Sequence, residues 1–243
     1  MADYAQGFGP ILARKYDMGT QVATAVQQGA QNFRCVRVTD NTDSAAQTIL
    51  AGTTVTFTAL NTGSLGNLVI LALTTGSRAN TWRLTVSLPG LQPEVYDNIA
   101  GSGAVFWSTL VTAVNQGQGP QRGPSQLIVA SAGGATIAPS QFSIALGSTT
   151  AGSDGAVNVT VTGLAGTDIP PRSGMYSLRG QGCGIAILAD ADDPDYWTTQ
   201  AGFGLQEGTY MILTGPAGDT IQNAVTVKQQ AGLDSYAAKL MFG

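Results

Sequence analysis

Short, unbroken apolar runs alternate with amphipathic stretches over the last third of the chain. Ile185 to Ala189 is one such run, and it predicts a short buried strand. Asp193 and Pro194 then stand in N-cap and first-turn positions, and Trp197, Ala201, Gly204 and Leu205 follow at the spacing of one helical face. Tyr210 to Leu213 predicts a second strand. Asp219, with Gln222 three residues on, predicts a capped helix that turns Ile221, Ala224 and Val225 inward and stops at Gly232. Ala237 to Met241 predicts a third strand, so residues 169–243 read as β-α-β-α-β. The N-terminal segment has the same grammar. Val22, Ala25 and Val26 share a helical face ended by Gly29, and Phe33 to Val38 predicts a buried strand added to the same sheet.

Between these segments the texture changes to Thr, Ser, Gly and β-branched residues. Strands are predicted at Val55 to Leu60, Leu68 to Leu73 and Trp82 to Leu88, separated by Gly-rich turns. One helix, Gly103 to Gln116, carries Phe106, Leu110, Ala113 and Val114 inward after a Ser102 cap. The fold class is therefore α+β with α/β character: a discontinuous α/β core domain (1–45 and 169–243) interrupted by an inserted β-rich domain (46–168). The DNTDS segment near Asp40 reads as the outgoing linker and GLAGTDIPPRSG, with Pro170 and Pro171, as the returning one.

Composition narrows the chemistry. Only 11% of the 243 residues are charged, so the surface is built mostly from neutral polar groups, while 43% hydrophobic residues are enough to fold. A compact chain of this mass exposes about 10,000 Å² where the unfolded one exposes about 36,000 Å², enough burial for one large or two modest domains. The net charge is −4 and the few Lys and Arg are scattered, so nucleic acid is not an expected partner. His is absent, which removes Ser-His-Asp and Cys-His catalysis and imidazole metal sites. The longest strongly apolar run, Leu68 to Leu73, is too short to span a bilayer, and the MADYAQGFGP start lacks the basic and apolar parts of a signal peptide. A cytoplasmic origin and no membrane partner are expected. Cys35 and Cys183 sit in apolar strand-like runs and are expected as reduced, buried thiols, and the Asn158-Val159-Thr160 sequon has no meaning without secretion.

Four features carry residue types that a site could use. The Gly215 to Thr220 turn sits where a phosphate loop would, but no Lys-Ser or Lys-Thr follows and Asp219 occupies the helix start, so it reads as a structural turn. Gly180, Gly182 and Gly184 precede a strand where a dinucleotide fingerprint must follow one, and are expected to let backbone pack closely. The acidic residues Asp190, Asp192, Asp193 and Asp195 lack the Gly and Glu positions of a calcium loop and read as helix capping plus a solvated loop, or an acidic contact surface. Glu94 and Glu207, the two Glu of the chain, pair with no second carboxylate at catalytic spacing. No catalytic, cofactor or metal residue is assigned, and no enzyme activity is expected.

The segments FRCVRVTD, GSLGN, LPGLQPEVYDNI, RGPSQL, SGMYSLRG, ILADADD, EGTYMILTGPAGDTI and AGLDSYAAKLMFG resemble, in order from about Thr20 to Gly243, the sheath proteins of contractile bacteriophage tails, especially the Mu-like group. The resemblance implies a structural subunit of the virion tail, assembled in the host cytoplasm. Its partners would be other sheath subunits in hexameric rings, the tail tube protein, the baseplate and the tail terminator, and the stack would contract to drive the tube through the host envelope for genome ejection. It implies no cofactor. Family members carry residues ahead of the first helix and a further C-terminal domain, so the chain is expected to be a fragment lacking that domain and to be monomeric alone. Two other classes stay open: a receptor- or carbohydrate-binding viral module, suggested by the Thr- and Gly-rich middle, and a nucleotide-dependent enzyme, suggested by the β-α-β-α-β pattern alone.

Overall fold

A computed structural model describes residues 2–12, 14–50 and 52–242. Gly243, where the resemblance ends, lies outside them. Helices α1 (Ala2–Phe8) and α2 (Gly19–Gln27) are followed by strands β1 (Ala45–Ile49), β2 (Thr56–Thr62), β3 (Ile70–Thr75), β4 (Thr81–Ser87) and β5 (Glu94–Ala100). Then come α3 (Gly103–Gln116), β6 (Ile128–Ser131), β7 (Phe142–Ala145), α4 (Val161–Ala165), β8 (Ile185–Ile187), α5 (Trp197–Glu207), β9 (Tyr210–Thr214), α6 (Ile221–Ala231) and β10 (Ala238–Met241). The architecture is mixed α+β. The chain divides into two compact units: the first comprises residues 1–40 and 156–243, the second residues 41–155.

In the second unit two antiparallel sheets, ordered β1-β2-β6 and β5-β4-β3-β7, share one core with α3. Alternation puts Phe57 and Ala59, Leu71 and Leu73, and Leu84 and Val86 inside, while the helical period of α3 adds Phe106, Trp107, Leu110, Ala113 and Val114. The expected strands are present with small shifts: Leu68 belongs to a 3-10 turn, Ser64–Leu68, and is exposed. β1, β5, β6 and β7 add to those expected. Ser102 stands at the N-cap of α3 without a side-chain cap bond.

The first unit holds a parallel three-stranded sheet ordered β8-β9-β10, with α5 against one face. Met211 and Leu213 of the central strand are fully buried there, packed with Trp197 and Phe203 of α5. Three helical or strand expectations need correction. Phe33 to Val38 forms no strand: a strand exists only within a ladder, and among the described residues no strand is paired with this run, leaving Phe33 exposed and Cys35 half-buried. In α6, Ile221 is 80% exposed and Val225 is exposed too; Val227 and Ala231 make the inward contacts instead. In α5, Leu205 faces solvent, while Gln200 and Phe203 join Trp197, Ala201 and Gly204 inside. Both cysteines are unpaired and half-buried rather than buried.

The GLAGTDIPPRSG segment is not a free linker. Its start forms α4, whose Val161 and Ala165 are buried. The remainder is a pinched loop in which Thr167 N–H donates to Ser173 Oγ at 3.1 Å and Ser173 N–H donates to Thr167 O at 3.2 Å. Gly166 closes the pinch at φ +71°, where a Cβ would lie 2.1 Å from Ser173 O and 2.7 Å from Gly174 N. Both contacts are backbone, which has no rotamer to yield. Gly166→Ala is therefore expected to destabilise the first unit by about 2–3 kcal/mol, the sum of left-handed strain and collision, read as a shift in urea midpoint. An unchanged midpoint would mean that the loop does not hold α4.

Candidate functional site

The polar features of the sequence are joints between chain segments. The acidic run follows β8, and its carboxylates point to different partners. Asp190, at φ 53°, accepts the Tyr16 N–H at 2.9 Å. Asp192 lies 3.1 Å from Lys15 Nζ and raises that ammonium above its ordinary pKa. Asp193 accepts the Asp195 N–H at 3.1 Å and begins the Pro194–Tyr196 turn that leads into α5, the capping role expected of it. The run thus ties residues 15–16 to the end of β8. The Lys15–Asp192 pair is exposed and contributes about 0–1 kcal/mol. Among the described residues, no three His, Cys, Asp or Glu side chains converge as a metal would require.

The glycines of the RGQGCG stretch do not serve close packing, since a Cβ at 180, 182 or 184 would meet nothing within 4 Å. Gly180 and Gly182 are instead needed for their φ of +75° and +65°. Arg179 anchors this stretch: it reaches Asp168 at 2.7 Å and Glu207 at 3.0 Å, and its guanidinium lies 5.8 Å from the Tyr176 ring centre. Glu207 also accepts the Gly180 N–H at 2.8 Å.

The Gly215 to Thr220 turn joins β9 to α6. Its cap is Thr220, whose Oγ1 accepts the Asn223 N–H at 3.2 Å, one residue later than the Asp219 expected. Asp219 receives the Asn223 side-chain amide at 2.8 Å. Gly215 leaves room for a ring: a Cβ there would lie 2.2 Å from Phe242, which meets Trp197 edge-on at 6.0 Å.

A buried polar cluster in the second unit had no sequence signal beyond the rarity of Glu. Glu94 begins β5 only 5% exposed. Its carboxylate accepts the Ser125 hydroxyl at 2.5 Å and the Gln126 N–H at 2.8 Å, and lies 2.9 Å from Arg122. The Arg122 guanidinium sits 5.1 Å from the Tyr96 ring centre, and burial pushes the Tyr96 phenol up from its ordinary pKa. Nearby on the outer surface, Arg83 and then Ser77 hold the Asp97 carboxyl below the usual carboxylate range. In both places an acid meets an arginine and hydroxyls, charge-assisted bonds that hold the backbone beside them.

The feature with most capacity to bind is apolar. Parallel sheets are normally covered on both faces, yet the face of β8-β9-β10 opposite α5 presents Ile185 at 66% and Met241 at 50% exposure, with exposed Ile187 and Tyr210, half-buried Ile212 and, in register with Ile212, exposed Lys239 between them. Registers Ile185 with Tyr210 and Ile187 with Ile212 put these side chains in one patch. Among the described residues, no strand pairs with the outer margin of β8 or β10.

No protein-family model and no curated protein matches the chain. Among solved structures, 72% of the chain is similar to a sheath tail protein from Listeria innocua, with TM-score 0.46 and 14% identity. A sheath tail protein from Desulfitobacterium hafniense is similar over 73% of the chain, with TM-score 0.43 and 19% identity. The chain spans 35% and 36% of those two proteins, about a third of either.

Proposed function

We propose that the chain is part of a structural subunit of a contractile tail sheath, from a bacteriophage or phage-like particle of the Mu-like group. Other sheath subunits and the tail tube are its main partners, and contraction of the stack is its work. The observation that carries this reading is the run of eight family-like segments in family order, from FRCVRVTD to AGLDSYAAKLMFG. The open apolar sheet face supports it, because a surface of that kind suits packing against protein rather than water. The work of such a subunit comes from the difference between two packings of the same chain, so joints like Arg179 and Glu94, which fix backbone, are the polar groups it would need.

Abundance tests the reading. In tail-like particles purified from the source strain, quantitative mass spectrometry should find peptides of this chain in amounts comparable to the tube protein. A few copies per particle would favour the receptor-binding alternative, and absence from the particles would overturn both.

The same reading treats the second unit as an insertion that leaves and re-enters the first. Ser44 and Ser153 exchange backbone hydrogen bonds at 3.1 Å, so the unit's entry and exit are zipped together. In the first unit Asn158 N–H donates to Asp40 at 3.0 Å, so the two cut ends already adjoin. Replacing residues 41–155 by a short Gly-Ser linker should leave a folded remainder with cooperative unfolding. Insoluble or unfolded protein at every linker length would refute the division.

A further inference from the structure

Edge strands carry unpaired N–H and C=O groups and are where one polypeptide adds to another. The second unit has two such margins beside the end of α3: β5 closes one sheet and β6 the other. Asn115, next to last in α3, lays its amide on β6. Its Nδ2 donates to Ala130 O at 2.8 Å while its Oδ1 accepts the Ala130 N–H at 2.9 Å. Gln118, just past the helix, repeats this on β5, donating from Nε2 to Asp97 O at 2.7 Å and accepting the Asp97 N–H at 3.0 Å. A primary amide presents a donor and an acceptor much as a peptide unit does, so each side chain occupies the place of a neighbouring strand's peptide.

Other groups seal the same margins. Ile128 N–H of β6 donates to Ser125 Oγ at 3.1 Å. β5 is irregular opposite Trp82 and Leu84, with Asn98 at φ 58°, and Arg83 pairs with Asp97 at 2.9 Å. Bulges and charges at an edge both oppose strand addition. Asn115 and Gln118 lie three residues apart, so one helix end reaches both sheets.

We infer that the end of α3 is an edge guard: Asn115 and Gln118 cap β6 and β5 and prevent a second copy of this chain from adding a strand at those two margins of the second unit.

The full chain carrying Asn115→Ala and Gln118→Ala tests this against the parent. With native far-UV circular dichroism retained, its mass by light scattering at 10–200 μM should exceed the parent's at least twofold at the top of the range, and the amides of Ala130 and Asp97 should gain exchange protection as concentration rises. A folded double variant with the parent's mass throughout, or one that associates without protecting those amides, overturns the guard. If the double variant does not fold, Asn115→Ala alone is compared with Asn115→Asp, which keeps the acceptor for Ala130 N–H. Ala130 should exchange at least tenfold faster in the first and less so in the second, with Leu71 and Leu73 unchanged. Equal protection of Ala130 in parent and Asn115→Ala overturns the inference.

Discussion

Trp197→Ala is expected to lower the stability of the first unit by about 3–5 kcal/mol, the range for emptying a large aromatic site in a core. Trp197 is fully buried at the start of α5, where that helix meets the sheet. Its indole N–H donates to Thr214 O at 2.9 Å, at the end of β9, and its ring meets Phe242 beyond β10. One side chain thus ties the first turn of the helix to the ends of two strands. The core around it is small, with Val161, Met175, Leu188, Phe203, Met211 and Leu213 as its other large buried members, so little can collapse into the space. Trp197→Phe keeps most of the apolar volume and loses the N–H donor, and about 1–2 kcal/mol is expected for it. Hydrogen exchange resolves the two units separately: amides of β9 should lose protection in Trp197→Ala while those of β3 keep theirs. Loss of protection below about 1 kcal/mol would show that Trp197 fills the core without holding it.

Much of this architecture was legible wherever the period was long and the cap clear. Helix α3 appears at the residues its pattern predicts because Phe106, Leu110, Ala113 and Val114 keep a helical period and Gly117, at φ 86°, ends it. Of the strands that escaped notice, β6 and β7 are only four residues long, while β1 and β5 each turn a polar residue inward, Thr48 and Glu94. β5 points Glu94 and Tyr96 inward, then shifts register so that Ile99 takes the next buried place, which breaks the alternation. Glu94 is tolerable inside only because Arg122, Ser125 and Gln126 reach it from a loop some 30 residues away, as its hydrogen-bond partners at sequence separations of 31 and 32 show. Phe33 to Val38 errs the other way: its apolar residues look like a strand, but pairing is a tertiary fact and among the described residues no strand is paired with it. In α6 the helical pattern selected Ile221 and Val225, the two apolar residues that end up outside. The edge-capping amides were invisible for the same reason as Glu94, since Asn115 and Gln118 read as ordinary helix-end polars until the strands they cover are in place.

Glu94→Ala is expected to cost the second unit about 3 kcal/mol. Removing one partner of a buried pair costs about 3–5 kcal/mol because the other is left with an uncompensated charge. Here Arg122 retains 31% side-chain exposure, so water recovers part of that charge and the lower end applies. The Ser125 hydroxyl and Gln126 N–H also lose their acceptor, adding a smaller penalty. Glu94→Gln keeps an acceptor for both and removes only the charge, so about half the loss is expected. The combination Glu94→Leu with Arg122→Met decides whether the pair acts as a unit. If it does, the double variant is more stable than Glu94→Ala, since no unpaired charge or orphaned carboxylate remains and apolar atoms fill the space beside Tyr96. If instead the double variant loses the sum of the Glu94→Leu and Arg122→Met losses, Glu94 and Arg122 act independently, and β5 is held by its hydrogen bonds to Ser125 and Gln126 rather than by the ion pair. Chemical denaturation of all five variants in the full chain, followed by hydrogen exchange of the β3 and β4 amides in this unit, measures the difference.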